Sequence, residues 1–278
     1  MVLSNYHSHC TFCDGRSSME DFVRFAISKK LQKYGFSSHA PLPFNTAWTM
    51  NAEDFDEYQT EFLRLKQKYS QQIDLYFGLE VDYIHGCSDA LSSFFADKKF
   101  DYLIGSIHYL DKLDNGKYWS IDGAFEDFDY GLQKLLNGDI VSGTNRFFEI
   151  TKLMIEKGGF NIVGHFDKIM YHGKNYADFD IKRDWYQKHI IELFSLIKSK
   201  GMLLEINTKS VRDYGMTYPH NLFFPLINEM QIPVVINSDC HYPTNIISSF
   251  DVTFSELKKA GIQQTYQFNG FNWEAVEI

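Results

Sequence analysis

NYHSHCTFCDG, residues 5–15, is the stretch from which the rest of the chain can be read. His7 and His9 stand two apart, and Asp14 follows shortly after. In a strand, side chains i and i+2 project from the same face. Two imidazoles on one face at a strand end make half of a metal site. Working outward means asking where the other ligands lie.

Apolar runs with strand character recur along the chain, separated by stretches of helical spacing. Strands are expected at about residues 2–9, 35–39, 73–83, 101–110, 161–167, 202–208 and 233–239. Between them, Ser17 and Glu20 read as a capping box that opens a helix. Amphipathic helices are expected over residues 52–72, 124–136, 143–157, 185–200, 220–230 and 255–260, with an aromatic tail after the last. Seven strands separated by helices imply parallel βαβ crossovers in one domain, residues 1–278. The glycine-rich phosphate loops of nucleotide-binding open sheets are absent from the sequence, which favours a closed α/β barrel.

Within the strands one face is apolar and the other carries polar groups near the C-terminal end. Leu75, Phe77 and Leu79 share a face opposite Tyr76, Gly78 and Glu80. Leu204 and Ile206 likewise oppose Leu203, Glu205 and Asn207. Asn5, His7 and His9 are expected to share a face, as are Ile104, Ser106 and His108. Parallel barrels place their active sites at the C-terminal strand ends, where these polar residues fall.

Composition narrows the class. The 278 residues are 44% hydrophobic and 17% aromatic, as in a globular protein. A net charge of −9 argues against a nucleic-acid binder, which needs a basic face. No window has the run of about 20 apolar residues that spans a membrane, and the start MVLSNYHSHC lacks a secretory leader. Both point to a soluble, cytoplasmic protein. Cys10, Cys13, Cys87 and Cys240 are too few for a disulfide scaffold. Cys10 and Cys240 read as small residues lining the metal pocket.

The polar strand ends collect His7, His9, Asp14, His39, Glu80, His108, His165, Asp239 and His241. Six of the ten histidines are among them. A single such histidine is as often a structural hydrogen-bonding residue; six at successive strand ends form a constellation. One ion takes four to six ligands, so two or three divalent ions (zinc, iron or manganese) must share the site through a bridging carboxylate. Clustered divalent ions suit in-line displacement at phosphorus, one ion polarising the phosphoryl oxygen while a bridging hydroxide attacks. The cavity stays net cationic and attracts a small phosphate ester despite the acidic exterior.

HSHCTFCDG, FSSHAP, FGLEVDY, GSIHY, GHFD, LEINT and SDCH, in that order from residue 7 to residue 241, resemble the polymerase-and-histidinol-phosphatase (PHP) superfamily. They resemble most its stand-alone histidinol-phosphate phosphatase branch. The resemblance implies a distorted (β/α)7 barrel with three metals. It implies that His7, His9, Glu80 and Asp239 hold one ion. Glu80, His108 and His165 hold the second, and Asp14, His39 and His241 the third. It also implies hydrolysis of L-histidinol phosphate to L-histidinol and phosphate, a step of histidine biosynthesis.

Arg212 resembles a family position that contacts phosphate; Lys209 is nearby, and Arg16, immediately after the DG, is a third candidate. Lys168, after GHFD, is a weaker candidate. Asp239 or His241 are the expected acids for the leaving alcohol, Glu205 and Asn207 orient ligands, and the loop at residues 40–48 walls the substrate pocket. A PHP phosphatase or phosphoesterase for another small phosphate or for nucleic acid keeps the same fold. A metal-stabilised binding module and an amidohydrolase are the competing classes. The intact ligand set argues against the first, and the third-strand Glu80 with the terminal SDCH argues against the second.

Overall fold

Tyr102, on the fourth strand, donates its hydroxyl hydrogen to the backbone carbonyls of Tyr6 and Phe36, the latter at 3.0 Å. One side chain thus spans the inside of a ring of strands. The computed structural model describes residues 3–278, so Val2, the expected start of the first strand, lies outside the described residues. The parallel strands are β1 (Ser4–Asn5), β2 (Lys33–Phe36), β3 (Asp74–Asp82) and β4 (Tyr102–Ser106). After a hairpin of β5 (Tyr109–Lys112) and β6 (Tyr118–Ser120) come β7 (Ile162–Val163), β8 (Leu203–Asn207) and β9 (Val234–Asn237). They line up in the order β1-β2-β3-β4-β7-β8-β9.

The ring closes just beyond the ends of β1 and β9. Ser8 and Cys240 form a parallel bridge, and His9 N donates to the Cys240 carbonyl at 2.9 Å. The result is a nearly closed, distorted (β/α)7 barrel: closure is as the strand pattern suggested, and the distorted (β/α)7 form is as the PHP resemblance implied. Its outer strand faces meet helices, as where Phe77 packs against Phe55, Tyr58 and Phe62 of Phe55–Lys68 and its lead-in turn. Among the described residues no helix is long and apolar enough to cross a membrane.

Inside the ring, Tyr6, Tyr76, Tyr102, Ile104, Ile162, Leu203 and Val235 form a buried cluster of their own. Gly35 and Gly78 make room for it. A Cβ at either would lie 2.3 or 2.7 Å from atoms of Tyr102, a distance backbone cannot accommodate. The expected aromatic tail is in fact a hairpin of β10 (Gln264–Phe268) and β11 (Trp273–Glu277). It seals this end of the ring, with Phe268 N donating to the Tyr6 hydroxyl at 2.9 Å and Trp273 edge-on to Tyr6 at 5.0 Å.

Other expectations shift. The capping box is Ser18 with Asp21, one residue on from the predicted Ser17 and Glu20. Ser17 is drawn away by the preceding turn, where its carbonyl accepts from Thr11 N. The stretch 101–110 is not one strand, because the chain breaks after Ser106 and restarts in the β5–β6 hairpin. The helix expected over 52–72 is regular over Phe55–Lys68 only. Asn5 does not share a face with His7 and His9. Regular pairing stops at Asn5, and its amide nitrogen turns outward to Ser238 Oγ at 2.8 Å and the Ile246 carbonyl at 3.0 Å. Tyr6 takes the inward position instead.

Candidate metal centre

The nine polar residues expected at the strand ends converge on the end of the barrel opposite the sealing hairpin. His7 and His9 follow β1, His39 follows β2, Glu80 lies in β3, and His108, His165 and Asp239 come just after β4, β7 and β9. Asp239 holds its place with a backbone φ of 47°, a left-handed conformation that Asp tolerates better than most residues. The turn it makes brings His241 back over the mouth.

Glu80 is the hub. Its Oε2 lies 3.2 Å from His7 Nε2, 3.5 Å from His9 Nε2 and 2.9 Å from His39 Nδ1. Its Oε1 lies 2.8 Å from His165 Nε2 and 3.8 Å from His108 Nε2. Asp239 Oδ1 is 3.3 Å from His9 Nε2 and 3.6 Å from His241 Nδ1. Asp14 Oδ1 is 3.3 Å from His241 Nε2 and 3.7 Å from His39 Nε2. Three sets of donor atoms lie within 4.8 Å of one another: His9 with Asp14, His39 and His241; His7 with His9 and Asp239; and His39 with Glu80 and His108.

These atoms are aimed at a shared space rather than at each other. His7 Nε2, His9 Nε2, Asp14 Oδ1, His39 Nδ1 and Glu80 Oε2 are all buried without a hydrogen-bond partner. Leaving a single buried polar atom unpaired costs about 1–3 kcal/mol, so five together need a common partner. Imidazole nitrogens and carboxylate oxygens in this number are the donor set of divalent transition ions. The group fits the residues.

A surrounding layer fixes the rings. Glu205 Oε1 accepts from His7 Nδ1 at 2.6 Å, leaving Nε2 to face inward. The other Glu205 oxygen accepts from His165 N, while Asn207 and Asn237 donate to the same carboxylate. Asp82 Oδ1 accepts from His108 Nδ1 at 2.7 Å, and Ser106 Oγ donates to Glu80 Oε1 at 2.6 Å. Glu205 and Asn207 were anticipated as orienting groups. Asp82 was not, although its place two residues after Glu80 on a buried strand was the available signal.

Charge is apportioned within the cluster. Burial works against Glu80 and Asp239 ionising, yet His7, His39 and His108 around the first, and Lys209 and His7 around the second, hold both well below the usual carboxylate range. Burial, with neighbouring His241 and His39, pushes His9 well down. Burial and Lys168 bring His165 to about 4. Burial and Lys209 lower His241. These imidazoles therefore present lone pairs at neutral pH, as ligands must. His7 goes the other way, because Glu205, Glu80 and Asp239 outweigh its burial and raise it.

The residues expected to meet substrate divide between two clefts. The central one, about 230 Å³, is lined by Asp14, Trp48, Asp122, Lys168, Lys209 and His241, among others. Lys209 Nζ lies 3.1 Å from Asp239 Oδ1. Lys168 is buried, with Nζ 2.7 Å from Asp122 Oδ2. Trp48, from the loop expected to wall the pocket, stands edge-on to His39 at 4.6 Å. Arg16 and Arg212 line an adjoining cleft that shares Asp14, Lys209, Asp239 and His241. Arg212 is 63% exposed and its guanidinium lies on Asp213 at 2.9 Å. Lys168 is thus nearer the centre than its expected rank, and Asp122 went unread because the hairpin before it did.

All four cysteines are free. Cys240 lines the adjoining cleft, but Cys10 is turned into the core beside Ser38. Cys13 is the thiol that reaches the cluster, 3.6 Å from His9 Nδ1.

Comparison with known proteins shows the family and the fold. The family model described as PHP domain matches residues 5–209. The chain is 29% identical to the "Probable histidinol-phosphatase" of Schizosaccharomyces pombe, over 92% of this chain and 86% of that one. It is 26% identical to the histidinol-phosphatase of Bacillus subtilis, covering 84% and 92%. A crystal structure of Lactococcus lactis histidinol phosphate phosphatase complexed with zinc, L-histidinol and phosphate superposes with a TM-score of 0.73 at 20% identity. It covers 98% of each chain, so the two share a fold.

Proposed function

The chain belongs to the PHP domain family, and from that premise we propose that it is a metal-dependent phosphomonoesterase hydrolysing L-histidinol phosphate to L-histidinol and phosphate, a reaction of histidine biosynthesis. The observation that carries the reading is the convergence of unpartnered imidazole and carboxylate atoms from successive strand ends on one space beside a basic cleft.

His7, His9, Asp14, His39, Glu80, His108, His165, Asp239 and His241 would hold two or three divalent ions of zinc, iron or manganese, with Glu80 shared. Such ions supply Lewis acidity toward phosphoryl oxygens and acidify water. The chain's own residues do the rest. Glu205 and Asp82 keep the His7 and His108 rings in one tautomer and orientation. Lys209 and Lys168 bring positive charge to the central cleft, and Arg16 and Arg212 add more from the adjoining one. Together they favour a phosphate dianion at the mouth of an otherwise acidic protein. Asp239 and His241 rest without a proton. In this reading Asp239 or His241 would pass a proton to the departing alkoxide oxygen. Trp48 and the hairpin wall the cleft to the scale of a small molecule.

Phosphate release from L-histidinol phosphate by protein loaded separately with zinc, iron and manganese tests this. The expected result is turnover that a chelator abolishes and metal restores. Loaded protein that turns over other phosphomonoesters but not this one overturns the substrate, and equal turnover by metal-free protein overturns the metal centre.

A further inference from the structure

Three acidic side chains line the central cleft: Asp14, Asp122 and Asp239. Asp14 and Asp239 are enclosed by imidazoles in the donor sets described above. Asp122 belongs to no such set. It sits two residues after β6, next to Gly123, in the lining of the cleft, and its carboxylate faces Lys168 at 2.7 Å. Lys168, Lys209 and Trp48 also line the cleft.

That arrangement is an oddity for a site meant only to gather phosphate. An acidic group in a cleft that must attract a dianion opposes binding by like-charge repulsion, and Asp122 partly cancels the lysine best placed to help. Lys168, Lys209 and His108 keep the Asp122 carboxyl below the usual carboxylate range, so the negative charge is present at neutral pH. The carboxylate already meets one cation, Lys168, and can exchange it for another. An ester carrying an ammonium group a few bonds from its phosphate supplies one. When it binds, the ammonium takes the Asp122 oxygen and Lys168 is released toward the phosphoryl oxygens, so that the Asp122–Lys168 pair is exchanged for two new charge-assisted contacts.

We infer that Asp122 is the residue that selects for an amine on the alcohol half of the ester, with Lys168 as its exchangeable counter-ion. The inference rests on the phosphomonoesterase reading above and deepens it: it assigns the amine-recognition side of the same cleft. It also gives the β5–β6 hairpin a purpose, since that excursion after β4 is what delivers Asp122 to the mouth.

The test compares two substrates on one enzyme. L-Histidinol phosphate and the ester of the same imidazole alcohol lacking the amine are given to zinc-loaded wild type and Asp122→Asn, and kcat/KM is measured for each. Wild type is expected to favour the amine-bearing ester by roughly tenfold or more, the range of a lost hydrogen bond to a charged group. Asp122→Asn should bring that ratio close to one. Lys168→Met, which removes the counter-ion but keeps the carboxylate, should lower kcat/KM for both esters while preserving the preference. If Asp122→Asn lowers both esters by the same factor, Asp122 merely holds Lys168 and the inference fails. It fails as well, without any variant, if wild type does not discriminate between the esters. Absence of turnover of either ester by metal-loaded wild type would instead bring down the functional reading, and this inference with it.

Discussion

Six residues separate Tyr102 from His108 along β4 and the turn after it, and over that distance the interior of the barrel changes its rules. At the Tyr102 end, aromatic rings pack edge to face, glycines are cut to fit them, and the Tyr102 hydroxyl serves two carbonyls at once. At the His108 end, polar side chains are buried just as deeply, but several of their inward atoms have no partner. One end is filled by packing, with Trp273 Nε1 left unpaired, whereas the other gathers five unpaired atoms around one space. The lesson is that burial alone does not distinguish stabilising interior from functional interior; the clustering of unmet hydrogen bonds on one space does.

This contrast can be broken most decisively at Glu80. Glu80→Gln keeps the shape but removes the charge that five imidazoles face, and phosphatase activity should fall by about a thousandfold or more, since both the ions and their orientation depend on it. Zinc retained per molecule after gel filtration should fall in parallel. A variant that keeps its metal and its activity would show the mouth to be ordinary core.

The opposite end should answer in stability rather than chemistry. Tyr102→Ala is expected to cost about 3–5 kcal/mol in urea unfolding, the usual range for deleting a buried aromatic ring, with turnover per folded molecule largely preserved. If activity drops while the unfolding midpoint stays put, the division of labour between the ends is wrong.

A finer probe keeps the ring. Tyr102→Phe removes one hydroxyl and strands two carbonyl acceptors, at a cost of about 1–3 kcal/mol near neutral pH. Its pH dependence sharpens the contrast. Burial raises the Tyr102 phenol well above its ordinary value of 10.0. The folded state therefore holds a proton that the unfolded chain gives up above pH 10, and the associated stability is present below that pH and lost as pH climbs past it. Urea titrations between pH 9 and 11 should show a shallower alkaline decline for Tyr102→Phe than for wild type. Equal slopes would mean that the phenol is open to solvent.

Much of this was legible in the sequence, and for a physical reason. A histidine or carboxylate among the apolar residues of a buried strand is costly, so HSH, FGLEVDY and SDCH announce themselves by being expensive. Arg212 and Asp122 show where legibility stops. Phosphate-binding basic residues lie on exposed loops, where charge costs nothing and every lysine and arginine looks alike. Arg212 fits the motif yet its guanidinium lies on Asp213, whereas Lys168 is buried in the cleft. Asp122 was hidden by a misread element. DYLIGSIHYL reads as one strand from end to end, so nothing in its periodicity marks the break after Ser106 or the hairpin that follows. The capping box slipped by one residue because Ser17 and Ser18 each have an acidic residue three places on, and only the preceding turn chooses between them. The terminal hairpin was missed because its aromatic residues pack against the interior of a ring that local pattern cannot see.

The seam between Ser8 and Cys240 carries a consequence for the life of the chain. His7 and Asp239 are neighbours only after the ring has shut, and they stand 232 positions apart. A ribosome must deliver the chain at least as far as Asp239 before the earliest histidines find their latest companion. Completion of the two donor sets that use Asp239 or His241 is thereby deferred to that point, while the set of His39, Glu80 and His108 needs no residue that late in the chain.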